Sequence, residues 1–378
     1  MLNKNHIYAV STLIGTAVGA GVFGLPYVTS KAGFIPALIL LVILGAIMIL
    51  LGLMYGEVTL RTTDKGRLVG YCEKYIGKNG KRAATLITLF SLYANVLAYI
   101  IIGGVFLNTL LSGYFGGSEF IYGLIIFAFI SIGIYINLKF VSIIELLMVA
   151  FILIAMSGIF AKGIVFVDVN NLLSYNPSQF FLPFGVILFS LSFISAVPEL
   201  EHIMKKRQRK IKSAIITSGI AIVIIYALFM AVVVGITGPD TSEETFSGLS
   251  QFMGNGIVTL GLIFGLFAVA TSYLIIGINL KEIFWYDFHL SKNKSWALAC
   301  FVPALIFILG FRDFIAIINF TGGVAGGFVG IFIIIIFYKA KKTGDLKPAY
   351  EINVPKIVSA LMMFVFILGI AYQIIYRG

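Results

Sequence analysis

Charge is what this chain has least of. Only 11% of its 378 residues are Asp, Glu, Lys or Arg, while 60% are apolar, and soluble domains carry charge on about a quarter of their residues. Such a chain cannot cover a globular surface with solvated groups, so its main solvent is a lipid bilayer. Two cysteines, Cys72 and Cys300, lie far apart on what reads as the basic side of the chain and indicate neither a disulfide framework nor a metal cluster. His6, His202 and His289 are scattered and form no ligand set. There is no H-E-x-x-H, no pair of aspartate-rich motifs and no Walker loop, which leaves an intramembrane protease or transferase without its chemistry. No cofactor is expected.

What the chain has instead is a succession of apolar stretches, each near the roughly 20 residues that cross a hydrocarbon core. They predict eleven spans, at about 7–28, 33–60, 83–112, 119–137, 141–162, 181–204, 212–236, 256–286, 295–310, 314–338 and 356–376. The first run has no small-residue cleavage site after a short apolar region and reads as a retained helix rather than a signal peptide. The net charge of +11 suggests nucleic acid only until the basic residues are mapped. With the N-terminus inside, 23 of the 27 fall on the cytoplasmic side, and only Lys31, Lys162, Arg312 and Arg377 fall outside. The loop 238–255 carries Asp240, Glu243 and Glu244 and no basic residue, in keeping with an outside position. One membrane domain over 1–378 follows, with the C-terminus outside, lipid as a partner, no nucleic acid, and nothing that requires more than a monomer.

Internal symmetry is the next signal. Span one meets Gly19-Ala20-Gly21 about twelve residues in, followed by Pro26; span six meets Ser190, Ser192 and Ser195 at similar depth, followed by Pro198. Five spans separate their starts, an odd number, so the two helices cross the membrane in opposite directions. Interrupted helices at corresponding places in two inverted halves point to the binding site of a secondary transporter. The halves are about 7–162 and 181–338, with 356–376 appended.

In span one, glycine lets the backbone leave helical geometry and Pro26 withholds a donor from the carbonyl four residues back. Gly15 and Gly19 also make a G-x-x-x-G packing face, so the segment alone supports a packing role equally well. The same holds for Gly322, Gly326 and Gly330 in span ten, read here as a close-packing face. Non-helical backbone at membrane depth occurs only where it lines a cavity or is buried in protein, and the matching break in span six favours a site. Span eight places Ala268, Thr271 and Ser272 on one helical face; two hydroxyls plus carbonyls of a broken helix can replace the water shell of a hard cation. Among carboxylates, Glu57, Glu145 and Glu199 are candidates to carry a coupling proton, because intramembrane charge is costly. All three sit toward basic helix ends, where reaching the interface or pairing with a nearby Arg or Lys explains them equally.

The run from Gly15 to Pro26, and above all Gly-Ala-Gly-Val-Phe-Gly-Leu-Pro followed by Lys31-Ala32-Gly33-Phe34, resembles the first-helix signature of the amino acid-polyamine-organocation superfamily, most closely its amino acid/auxin and aromatic amino-acid permease branch. The resemblance implies an all-α polytopic protein with a five-plus-five inverted repeat, like the leucine transporter, with helices one and six unwound at mid-membrane. It further implies alternating access and no catalytic residues. Carried onto this sequence, it puts the carbonyls of Gly15 and Val18 with Ala268, Thr271 and Ser272 at a site for sodium, and the substrate's amino and carboxylate groups at Ala17, Gly19, Ala20 and Gly21 and at Phe189, Ser190 and Ser192, with Ser195 close by. Some proton-coupled relatives use a span-five lysine at the cation position; here Lys139 and Lys162 only flank that span. The expected activity is symport of an amino acid with sodium or a proton. Phe23, Phe189 and Tyr273 would line a pocket for a large neutral or aromatic side chain. A channel or a non-transporting sensor on the same fold is the competing class.

Overall fold

The computed structural model describes residues 4–64, 66–136, 154, 156–204 and 207–376. In chain order its helices are α1 (Lys4–Ala17), α2 (Gly21–Ala32), α3 (Phe34–Arg61), α4 (Leu68–Ile76), α5 (Lys78–Phe115), α6 (Glu119–Tyr135), α7 (Met156–Phe166), α8 (Val169–Leu173), α9 (Pro183–Ser190), α10 (Glu199–Ile203) and α11 (Ile211–Thr237). They continue with α12 (Phe246–Met253), α13 (Asn255–Glu282), α14 (Lys292–Ile308), α15 (Phe314–Phe320), α16 (Gly327–Thr343) and α17 (Lys356–Ile375). Among the described residues seven helical stretches are long and apolar enough to cross a bilayer, and the bent pair α1–α2 makes an eighth. The shorter apolar α6 and α7 and the 17-residue α14 lie where three further spans are expected. Most of the fifth expected span, Glu145 included, lies outside the described residues.

Helices are the only open-ended answer to a bilayer, because each backbone donor must find its acceptor within the same segment. The exceptions therefore mark where something else satisfies the chain. α1 and α2 meet at 56°. At that joint the Val18 amide still closes onto the Ile14 carbonyl at 2.9 Å, but the Gly19 amide leaves the α1 ladder and turns back onto the Ala17 carbonyl at 2.8 Å. Pro26 lies inside α2, and the helix runs through it, so the bend belongs to Val18–Ala20 and not to the proline. α9 ends at Ser190, and a tight 3₁₀ turn over Ser192–Ala196 leads to Pro198 and α10. Here the proline matters: with no amide at 198, the Ile194 carbonyl accepts from Val197 at 3.0 Å instead.

α13, by contrast, runs unbroken past Ala268–Tyr273 and ends in a π turn at Ile283–Asp287. The tenth expected span is divided by a second π turn, Thr321–Gly326, so its glycines do not share one neighbour. A β-carbon on Gly322 would collide with the Gly185 carbonyl of α9, whereas one on Gly330 would meet the Phe366 ring of α17 at 2.5 Å. Gly33, at φ 102, turns the chain directly from α2 into α3, and its Cα lies so close to the Ser174 carbonyl that no side chain fits.

At the end of the molecule that carries the N-terminus, the 344–355 segment is tied to α3 and α4. Glu57, fully buried, accepts from Arg61 Nε at 2.8 Å and from the Ile352 amide at 2.7 Å. Arg61 also pairs with Glu351 at 3.1 Å. Asp345 pairs with Lys74 and accepts from the Thr63 amide at 3.0 Å and the Thr63 hydroxyl at 2.5 Å. These bonds hold the Asp345 carboxyl well below the ordinary carboxylate range, with Lys74 the largest cause, and raise Lys74 in return. One member of the basic set is no surface anchor: Lys281 is fully buried and donates to the Ile134 carbonyl of α6.

Candidate substrate and cation site

The two breaks touch. A β-carbon on Gly21, the first residue of α2, would lie 2.5 Å from Ser190 Oγ and 2.8 Å from Phe189 Cδ1, so the start of α2 runs against the end of α9 at van der Waals distance. Because α1 and α9 enter from opposite sides, their C-terminal ends meet here, and both carry the negative partial charge of unpaired helix carbonyls. The Ala17 and Ser190 carbonyls are held by one group: the Tyr226 hydroxyl of α11, 2.7 Å from the first and 3.0 Å from the second, on a residue with no exposed surface. Ser190 returns its own hydroxyl to Val186 at 2.8 Å and faces no open space.

Ala17, Gly19, Ala20, Gly21, Phe189 and Ser190 are therefore assembled around one point. Ser192 and Ser195 sit in the 3₁₀ turn, both exposed, with Ser195 bonded to the Ser192 carbonyl at 3.1 Å. Thr16, at the end of α1, is exposed as well. These three exposed residues lie on the side of the breaks toward the N-terminal end of the molecule.

The opposite side is closed by aromatics. Phe23 of α2 meets Phe106 of α5 edge-on at 5.1 Å, and Phe246 of α12 lies 5.5 Å from Phe23 and 5.7 Å from Phe106. Gly261 and Gly265 of α13 give these rings their room, since β-carbons there would be 2.5 Å from Phe246 and 2.7 Å from Phe106. Thr245, forced to φ 77, donates to the Phe23 carbonyl at 2.6 Å and fixes the loop over the plug. Phe23 thus packs within this aromatic cluster, one helical turn from the breaks.

On the third side lies α13. Measured from a β-carbon built on Gly19, the Tyr99 hydroxyl of α5 is at 3.6 Å and Ser272 Oγ at 3.9 Å, so Ser272 reaches the break at Gly19. Thr271 donates to the Phe267 and Ala268 carbonyls, each at 3.0 Å. Tyr273 is fully buried and stacked 6.5 Å from Tyr99, and its hydroxyl has no partner among the described residues. Glu199 is half exposed, with one long contact of 3.4 Å to Arg67, and Glu57 is committed to Arg61 and Ile352 as above. No group of His, Cys, Asp and Glu suited to a metal ion occurs among the described residues.

Three residues central to this geometry, Tyr99, Tyr226 and Phe246, were not singled out in the sequence. Tyr226 had a signal: it is the only polar-tipped residue between Ser218 and Thr237. Tyrosine is so common at membrane interfaces that the signal passes for an anchor.

Two helices interrupted at mid-length, running in opposite senses and joined back to back, define an integral membrane protein with the inverted-repeat transporter fold. The whole-chain likeness agrees: MhsT, solved in complex with L-phenylalanine, superposes with a TM-score of 0.66 over 98% of each chain at 15% identity. Residues 3–375 match the tryptophan/tyrosine permease family, and the chain belongs to it. It is 24% identical to tyrosine-specific transport system 1 of Haemophilus influenzae, with 88% of each chain covered. The tryptophan-specific transport protein of that organism is 25% identical, over 96% of this chain and 94% of the relative. The low affinity tryptophan permease of Escherichia coli strain K12 is 24% identical, over 90% and 88%. This is a family of permeases, not of enzymes.

Proposed function

We propose that the protein is a cation-coupled symporter of a large neutral or aromatic amino acid, working by alternating access. The observation that carries this reading is the contact of Gly21 with Ser190, which sets carbonyl-bearing helix ends and the amide-bearing start of α2 around one point. A zwitterion needs both: the carbonyl-bearing ends at Ala17 and Phe189 for its ammonium, and the broken backbone at Gly19, Ala20 and Gly21, where the Gly19 amide is already turned onto Ala17, for its carboxylate. The names of the relatives, specific for tyrosine and tryptophan, support an aromatic substrate.

The coupling ion would bind between the Gly15 and Val18 carbonyls and Ala268, Thr271 and Ser272. Ser272 already stands beside Gly19; Thr271 would have to release its own helix carbonyls. For proton coupling, Glu199 is the best-placed described carboxylate, because it follows the span-six break and remains open to solvent. Glu145 remains a candidate on sequence grounds, and Glu57, already held by a guanidinium and an amide, is the weakest.

Exposed Thr16, Ser192 and Ser195 on one side and the buried Phe23–Phe106–Phe246 plug on the other correspond to a state open toward the cytoplasm, with the N-terminus inside, eleven spans and the C-terminus outside. A cation drives the cycle only if it binds one conformation better than the other.

The test is uptake of an amino-acid panel into proteoliposomes under a sodium gradient and, separately, a pH gradient. The reading predicts concentrative uptake of tyrosine, tryptophan or phenylalanine under one of them. Binding without accumulation would instead make the protein a sensor, and equilibration without concentration a channel. Ser272→Ala should abolish sodium-driven uptake if sodium is the partner. Glu199→Gln should abolish proton-driven accumulation while sparing exchange if the proton is.

A further inference from the structure

Tyr226 satisfies a demand that is electrostatic before it is structural. The C-terminal ends of α1 and α9 face each other with no exposed surface at the residue between them, and each helix end carries about half a negative elementary charge. Two such ends converging in a low-dielectric interior repel, and the point where their carbonyls aim requires a positive group: a bound cation, an ammonium or a hydrogen-bond donor. The oxygen atom of Tyr226 lies at that point, 2.7 Å from Ala17 O and 3.0 Å from Ser190 O. Its single proton is shared between two acceptors; Ala17 O also takes the Gly19 amide at 2.8 Å, so it is Ser190 O that keeps a second lone pair.

We infer that Tyr226 is a built-in substitute for a cation at the junction of the two half-helices, a positioning residue that neutralises the paired carbonyls so that the junction takes no ion of its own. This deepens the symport reading and rests on it for its transport consequences. The coupling ion is then confined to the Gly15–Ser272 side, so one cation and not two accompanies each substrate. The ammonium meets carbonyls whose spacing is already fixed, before and after it binds, because the phenol joins α1 and α9 whether or not substrate is present. Ordering the site in advance removes part of the cost of binding.

The test uses the full chain purified in detergent. Tyr226→Phe removes one oxygen and keeps the ring, so it takes the shared donor from both carbonyls and leaves Ala17 O with the Gly19 amide alone; L-tyrosine and L-tryptophan binding is expected to weaken roughly tenfold. Tyr226→Asn removes the ring and supplies a third oxygen, turning the junction into an ion site. It is made in a Ser272→Ala background, which silences the neighbouring cation position, and followed by thermal unfolding in sodium, lithium or choline chloride at equal ionic strength without amino acid. The expected result is a saturable rise in melting temperature with sodium or lithium in Y226N/S272A, none in S272A alone, and none in choline. Equal responses in the two proteins, both monodisperse, would overturn the inference, as would Y226F binding both amino acids like the parent. Should Y226N not purify, the Y226F comparison decides alone. A parent that binds no amino acid defeats the symport reading, while the melting comparison, which contains none, still decides what Tyr226 does.

Discussion

Gly21 has no room for a β-carbon: Ser190 Oγ and Phe189 Cδ1 stand at 2.5 and 2.8 Å from where it would be, and the Ser190 backbone at 3.1 Å. Because backbone as well as side chain would have to yield, Gly21→Ala is expected to cost about 1–3 kcal/mol. If that cost falls on the site it appears as a roughly 5- to 150-fold loss of uptake; transport and melting temperature of the same preparation show how it is divided. The glycines and serines of both breaks were legible in the sequence because they interrupt two spans at matching depth, where either interruption alone reads equally well as packing. Tyr226 and Tyr99 were not, because a phenol is equally suited to an interface and a core, and only the three-dimensional meeting of α1, α9 and α11 tells them apart. Tyr273, which adjoins Ser272 in sequence, stacks on Tyr99, the ring whose hydroxyl stands beside Gly19.

Among the elements, the broken helices were foreseen and the devices that hold the ends were not. α4, α12 and the 344–355 strap lie in segments whose polarity reads as loop, and their contacts are set by residues distant in sequence, such as Thr63 with Asp345. The strap should behave as a fixed tie. Asp345 is held below its ordinary range, so its contribution is present above the unfolded value near about 3.9 and is lost only as pH falls through the lower folded value. Lys74 is raised, so its contribution persists below about 10.4 and is lost as pH rises through the folded value. Melting temperature should therefore be insensitive to this pair between about pH 5 and 9, and Asp345→Asn should lower it throughout that window while removing the acid-side loss. Glu57→Gln should cost on the order of 2 kcal/mol, since it leaves Arg61, itself only 13% exposed, with Glu351 alone. At the other end, Phe246→Ala removes one ring of the plug. A cysteine placed at Phe23 in that background should become reactive to a membrane-impermeant thiol reagent added from outside, and remain unreactive when Phe246 is intact.

At the scale of the molecule, composition alone specified the solvent, and the oddness of the interval between two interruptions specified an inverted repeat; both are global properties that survive errors of several residues at any helix end. The charge asymmetry was less secure residue by residue, as buried Lys281 shows, because a lysine at a helix end counts toward topology whether it reaches the surface or a neighbouring carbonyl. The aromatic cluster beside the breaks was not legible at all, because its rings come from α2, α5 and α12 and have no common sequence pattern. The claim on which the rest stands is that an amino acid binds where the two interrupted helices meet. A structure determined with L-tryptophan or L-tyrosine tests it most directly. The account predicts ligand density with its ammonium and carboxylate against the backbone of 17–21 and 189–190, and both helices broken there; ligand bound elsewhere, or either helix continuous through its break, would contradict it.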